Sequence, residues 1–355
     1  MSFDLNAILR PHILTLTPYA SARDEYEGNE GIFMDANENP IGSITAQPYN
    51  RYPDPYQAAI KQKLAAIRQV RTDQIFLGNG SDEAIDLLIR ATCTPQADEV
   101  ILLPPTYGMY EVSASINDVS LVKVPLTPDF QIDLPAVLRA VQTHPKAKLL
   151  FFCSPNNPTG NRLRTEDILR VLDVFPGLVV VDEAYVDFAQ GPSFVSRLDA
   201  YPNLVMLQTF SKAWGLASLR LGMAFAAPAI IAILNKLKPP YNINGVTQQL
   251  VGESLNNLTS VEKMVGEILR QRDWLRDRLV ELPVVRHVYP SDANFLLVKV
   301  QDARAVYHFL VNRKIIVRDR SNVKLCEGCL RISVGTAEEN GQLLAALGKF
   351  EAASA

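Results

Sequence analysis

Apolar residues follow one another along this chain in two alternating rhythms. Ile75 to Leu77, Glu99 to Leu103, Ser120 to Val124, Lys148 to Cys153, Val179 to Val181, Leu204 to Leu207 and Leu219 to Phe225 are short, near-continuous runs that predict buried strands. Between them the spacing turns helical: Ile60, Leu64 and Ile67, then residues 84, 85, 88 and 89, then Thr106 to Ile116, Leu134 to Val141 and Glu166 to Phe175. Buried strands separated by amphipathic helices predict an α/β fold, a three-layer domain whose mostly parallel sheet is covered on both faces. The rhythm changes after Asn242-Ile243-Asn244-Gly245. A long helical stretch, Val246 to Leu282 with a break near Asn256 to Ser260, leads into strands at Asn294 to Val300, Ile315 to Arg318 and Leu330 to Val334, with helices at Ala303 to Arg313 and at the C-terminus. That second pattern predicts a smaller α+β domain. The division expected is an N-terminal arm over 1–28, a large domain over 29–245 and a small C-terminal domain over 246–355.

Composition narrows the function. With 355 residues, 48% of them hydrophobic, the chain can bury cores for two domains. A net charge of -3 offers no basic stripe for neutralising phosphates, which argues against a nucleic-acid partner. The N-terminus has no basic region followed by an apolar block, so no secretory signal is expected. The longest uncharged stretch, Leu221 to Asn235, is shorter than the roughly 20 residues a membrane span needs, and it contains Pro228. A cytoplasmic protein acting on small molecules is the expectation. Four cysteines are too few for a disulfide framework, and Cys326-Glu327-Gly328-Cys329 lacks the second pair or nearby histidine of a metal site. His12, His144, His287 and His308 fall in no ligand spacing, so no metal is expected.

The candidate chemistry gathers where predicted strands end, which is where open α/β sheets bind their ligands. Thr209-Phe210-Ser211-Lys212, followed by Arg220, sets an amine among hydroxyl donors with a guanidinium fork suited to a phosphate. An amine in a dry, cation-lined pocket titrates low and becomes a nucleophile. Gly78-Asn79-Gly80-Ser81-Asp82 is a glycine turn feeding a helix start, an anion site made of free amide N–H groups. It approaches the dinucleotide fingerprint, but Glu83 stands at the third glycine position, where a carboxylate would repel a pyrophosphate. Asp182 ends the run Val179 to Val181, and a carboxylate at the end of a buried strand calls for a cationic partner. An amine and a carboxylate so placed suit pyridoxal 5'-phosphate, whose aldehyde needs the one and whose ring nitrogen needs the other. Tyr185 and Asn157 are donors fit for its ring oxygen, and Tyr107 could stack on its face.

Taken together, Ser154-Pro155-Asn156-Asn157-Pro158-Thr159-Gly160, Asp182-Glu183-Ala184-Tyr185, Ser211-Lys212 with Arg220, and Arg331 resemble the fold-type I aminotransferases of classes I and II. More narrowly, Leu16-Thr17-Pro18-Tyr19, Asn37-Glu38-Asn39-Pro40, Asn50-Arg51-Tyr52-Pro53, Asp182 to Phe188 and Cys329 to Thr336 are similar to the histidinol-phosphate aminotransferase family, nearly end to end. Trp214 and Ser218 depart from the family's more frequent Phe and Gly. The resemblance implies a homodimer with a shared active site, Lys212 as the Schiff-base lysine and Asp182 as the pyridinium partner. It implies Asn157 and Tyr185 at the ring oxygen, and Gly80, Ser81, Asp82, Thr209, Ser211 and Arg220 at the cofactor phosphate, with Tyr52 from the neighbouring subunit. Arg331 would take the carboxylate of glutamate or 2-oxoglutarate and help hold the phosphate of histidinol phosphate, with Arg318 and Tyr19 completing that anion site. The reaction implied is amino transfer from histidinol phosphate in histidine biosynthesis.

Two further readings use the same scaffold: an aromatic amino acid aminotransferase and a phosphothreonine decarboxylase. A third, the ligand-sensing domain of a transcription regulator, would require a DNA-binding domain ahead of the fold, for which an arm of about 28 residues leaves no room.

Overall fold

The computed structural model describes residues 3–19 and 30–350. All seven apolar runs of the first region enter one sheet: β1 (Ile75–Asn79), β2 (Glu99–Leu102), β3 (Ser120–Lys123), β4 (Ala147–Cys153), β5 (Leu178–Asp182), β6 (Leu204–Thr209) and β7 (Leu221–Ala226), ordered β1-β7-β6-β5-β4-β2-β3. Four of its pairings are parallel, and β7 alone runs against its neighbours β1 and β6.

The central strands carry near-continuous apolar runs because both faces are covered. On one face Leu150, Phe152, Val179 and Val181 meet Leu64, Val137, Ile168 and Val171, which come from helices Ala58–Arg68, Leu134–Thr143 and Thr165–Val174. On the other, Phe151, Val180 and Val205 meet Ile85, Ala114 and Ile230 from helices Ser81–Thr92, Met109–Ile116 and Pro228–Leu237. Each fully buried side chain of this kind stabilises the fold by about 1.5–3 kcal/mol. The three layers expected from the sequence are present.

The second sheet is antiparallel: β8 (Val285–Val288), β9 (Phe295–Val300), β10 (Arg318–Asp319) and β11 (Cys329–Ser333), ordered β10-β11-β9-β8. Helices Leu258–Leu279, Ala303–Asn312 and Ala337–Leu347 pack on it around Leu275, Val298, Val306 and Leu343. Its other side is not independent, since Phe295, Leu297, Cys326 and Cys329 join the core of the first sheet.

Several boundaries moved for local reasons. Of the strand expected at Ile315 to Arg318 only Arg318 pairs, because the turn at Lys314 (φ 64°) leaves Ile316 70% exposed. Strand β8 gave no signal, since Arg286 and His287 point to solvent and its pairing slips between Val285 and His287. The helix expected from Thr106 starts at Met109, behind a turn that follows Pro104-Pro105. The strand expected from Leu219 starts at Leu221, after a 3-10 turn over Ala217–Leu219.

In the arm, short helices Leu5–Ile8 and Pro11–Thr15 bury Ile8 and Ile13; the boundary expected at residue 28 lies outside the described residues. Among those described, no helix is long and apolar enough to cross a membrane.

Candidate active site

The site forms where β1, β5 and β6 end and the reversed strand β7 begins. Register fixes this meeting: Asp182 is level with Leu207 and with Cys153, Thr209 with Gly222, and Gly80 bridges Leu221. Residues 80, 182, 212 and 220, far apart in the chain, therefore share one cleft of about 660 Å³.

At one end lies a set of anion donors. Gly80 takes φ 71°, a conformation that favours glycine, and its N–H donates to the Arg220 carbonyl (2.8 Å). A Cβ at Gly80 would stand 2.7 Å from Arg220 Nη2, and one at Gly222 only 2.1 Å from the Ser81 backbone nitrogen. The helix Ser81–Thr92 begins here and aims its free N–H groups and positive dipole end into the cleft. Thr209 Oγ1 accepts from the Ser211 N–H (3.1 Å), and Arg220 Nη1 donates to Ser211 Oγ (3.3 Å) while Nη2 stands 4.0 Å from Asp82. Glu83, the residue that broke the dinucleotide fingerprint, accepts from the Asn79 N–H (2.6 Å) under the turn.

Toward the middle stand Lys212 and Asp182. Lys212 follows β6 on a tight turn, with its Nζ 5.7 Å from the centre of the Tyr185 ring. Partial burial and then the neighbouring Arg331 guanidinium hold its amine below the usual lysine range, against the pull of Asp182. Asp182 is 2% exposed, and burial pushes its carboxyl up to about 6, opposed mainly by a hydrogen bond from Tyr110. Oδ2 accepts from the Tyr110 hydroxyl (2.7 Å) and Oδ1 from the Ala184 N–H (3.0 Å). Tyr107, on the turn after β2, donates to Asp82 Oδ1 (3.2 Å), and burial raises its phenol well above the ordinary range.

The far wall comes from the second sheet. Arg331 on β11 faces Arg318 on β10 in register, and Arg320 lines the cleft beside them. Arg331 Nη1 donates to Asn157 Oδ1, while Asn157 Nδ2 donates to the Tyr185 hydroxyl (3.4 Å). Three guanidinium groups on one wall form a site for more than one anionic substituent.

Thirteen expected residues line this cleft: Gly80, Ser81, Asp82, Tyr107, Asn157, Asp182, Tyr185, Thr209, Ser211, Lys212, Arg220, Arg318 and Arg331. Two do not. Tyr52, 53% exposed, stacks on Tyr241 (4.5 Å, 17°) in a separate depression. Tyr19, 77% exposed, lies beside Pro55 and Tyr56 on the outer surface. Sequence reasoning missed Arg320 and Tyr110. Arg320 carried a signal, one arginine two residues after another at a strand end, whereas Tyr110 looked like any aromatic of an amphipathic helix.

The residues present fit pyridoxal phosphate. The glycine turn leaves room that side chains would fill, and its hydroxyl and amide donors converge with Arg220 as a dianion requires. Asp182 has two neutral donors and lines the cleft, and among the described residues Arg331 Nε is buried without a hydrogen-bond partner. Cys326 and Cys329, by contrast, are buried thiols pushed up to about 12 and about 11, which makes them unreactive.

The family model for aminotransferase class I and II matches residues 28–347. A histidinol-phosphate aminotransferase of Cytophaga hutchinsonii is 58% identical over 344 residues, covering 97% of this chain and 98% of that one. One of Parabacteroides distasonis is 52% identical, over 97% and 98%. Among solved structures, the histidinol-phosphate aminotransferase of Sinorhizobium meliloti in complex with pyridoxal-5'-phosphate superposes with a TM-score of 0.78 at 25% identity, covering 88% of this chain and 89% of that one.

Proposed function

The chain belongs to the class I and II aminotransferases, and from that premise we propose that it moves the amino group of L-histidinol phosphate to 2-oxoglutarate, giving imidazole-acetol phosphate and L-glutamate in histidine biosynthesis. The observation that carries this reading is the pairing, in one cleft, of Lys212 after β6 and Asp182 at the end of the adjacent β5, with an anion cradle on one side and three arginines on the other. In this reading residues 29–245 are the cofactor-binding domain and 246–355 the small domain.

Pyridoxal phosphate, when bound through its aldehyde at Lys212, supplies a ring that accepts the electron pair left on the substrate's α-carbon. The chain's own residues do the rest. Gly80, Ser81, Asp82 through its backbone, Thr209, Ser211 and Arg220 hold the phosphate. Asp182 would keep a positive charge on the ring nitrogen, since its carboxylate is buried and, among the described residues, has no cationic partner at hydrogen-bond distance. Tyr107 would pack on the ring face, while Asn157 and Tyr185 would donate to the ring oxygen. Once the substrate's amine has displaced it from the aldehyde, Lys212 Nζ would be a free base able to take the proton from the substrate carbon and give it back across the carbon–nitrogen linkage, two bonds away, a role helped by its lowered affinity for protons. Arg331 receives a carboxylate or a phosphate oxygen through paired N–H bonds, and Arg318 extends that site.

The assembly proposed is a homodimer with shared active sites. Tyr52 and Tyr19 are exposed, lie outside their own cleft and are linked through the loop that carries Pro55 and Tyr56, so both would serve a neighbouring subunit.

The test is spectroscopic and kinetic. The protein loaded with pyridoxal phosphate should be yellow, change its visible band on adding histidinol phosphate, and form glutamate from 2-oxoglutarate. Faster turnover of phenylalanine, or release of carbon dioxide from phosphothreonine, would reject the substrate; a protein left colourless by the cofactor would reject the site.

A further inference from the structure

We propose that Tyr110 is a positioning residue for the cofactor: its hydroxyl orients Asp182 and keeps it a carboxylate, so that Asp182 can face a cationic ring nitrogen. The proposal rests on the reading of Asp182 given above.

Tyr110 lies in the first turn of helix Met109–Ile116 and is wholly buried. Its ring is stacked on Phe151 of β4 (4.7 Å, 18°) and stands edge-on to Tyr107 (5.4 Å, 84°). Phenylalanine would fill that space equally well. The added hydroxyl is costly to bury without a partner, and its partner is Asp182 Oδ2 at 2.7 Å. With the Ala184 N–H on Oδ1, each carboxylate oxygen has one fixed donor, which sets the plane of the group. Both donors are neutral, so Asp182 is oriented without its charge being cancelled.

The hydroxyl also acts on protonation. Burial alone favours the neutral acid, and the Tyr110 hydrogen bond is the strongest influence against it. Close by, Cys153 is level with Asp182 across the β4–β5 pair and keeps its proton, because burial raises the thiol. Asp82 disfavours the Asp182 charge and Lys212 favours it, both less strongly than Tyr110. Tyr110 remains a donor throughout, since burial and Asp182 both hold its phenol un-ionised. The turn after β2 and the helix that follows it thus serve both carboxylates of the cleft: Tyr107 reaches Asp82 and Tyr110 reaches Asp182.

The experiment compares Tyr110→Phe, Asp182→Asn and the double variant, reading pyridoxal phosphate dissociation constants and the acid limb of binding by visible absorption. Tyr110→Phe is expected to bind about tenfold more weakly and to lose the cofactor at a pH about one unit higher, because Asp182 takes up its proton sooner. In the Asp182→Asn background the same change should alter neither quantity. If Asp182→Asn is weakened while Tyr110→Phe matches the wild type, Tyr110 is core packing and only this proposal falls. If Asp182→Asn itself binds like the wild type, the reading of Asp182 fails and takes the proposal with it. Should Tyr110→Phe not fold, NMR of the wild-type protein decides. The Tyr110 hydroxyl proton should exchange slowly and shift on cofactor loading, and a rapidly exchanging or unshifted signal overturns the role.

Discussion

Arg331 and Asn157, 174 residues apart, are joined by a hydrogen bond from Nη1 to Oδ1 that ties the second sheet to the loop after β4. The guanidinium that would take a substrate carboxylate is thus braced by the amide that would touch the cofactor's ring oxygen.

Arg331→Lys keeps the charge but loses the fork. Charged hydrogen bonds of this kind are worth about 1.5–3 kcal/mol, so kcat/KM for glutamate should fall roughly 10–100-fold. The visible spectrum of the resting enzyme should change little. Steady-state kinetics with unchanged glutamate efficiency would remove Arg331 from the substrate site.

Asp182 makes the cofactor-free protein sensitive to pH. Its folded value, about 6, lies above the ordinary carboxyl value of 3.8, so the fold binds this proton more tightly than the unfolded chain does. The associated stability is fully present below about pH 4 and is lost as pH rises through about 6, amounting to roughly 3 kcal/mol. Asp182→Asn should therefore melt higher than the cofactor-free wild type at pH 7, with the difference shrinking toward pH 4. Parallel melting curves across that range would contradict the assignment.

At Gly222 the β7 backbone passes so close to Ser81 that a Cβ cannot be accommodated without moving the phosphate turn. Gly222→Ala should cost about 2–3 kcal/mol and weaken pyridoxal phosphate binding as well. Denaturant melts and cofactor titration check both. Gly252→Ala, on an open helix surface, is the control expected to do neither.

Shared active sites can be tested by mixing inactive subunits. Lys212→Ala and Tyr52→Ala homodimers should both be impaired. Their heterodimers would contain one site with both residues intact, and random mixing should restore about a quarter of wild-type activity. No recovery after co-refolding would place Tyr52 outside the neighbour's site.

The layers were legible because β4, β5 and β6 each hold an unbroken apolar run of at least four residues, and Asp182 was legible because a carboxylate ending such a run is anomalous. Strand β8 was hidden by exposed Arg286 and His287, and the strand expected at Ile315 by a turn that only the fold reveals. Tyr110 was invisible for a different reason: its spacing is that of a core aromatic, and its partner lies 72 residues away. Tyr19 and Tyr52 carried motif likeness but no positional information, since a single subunit leaves them outside its cleft.

Because β7 is wedged antiparallel between β1 and β6, Arg220 reaches Gly80 only once that last strand has slotted home. This cradle of donors therefore cannot exist on a nascent chain that has made only the earlier strands. An anion that binds this cradle stabilises the finished sheet alone, so saturating it should slow the protein's loss through unfolding.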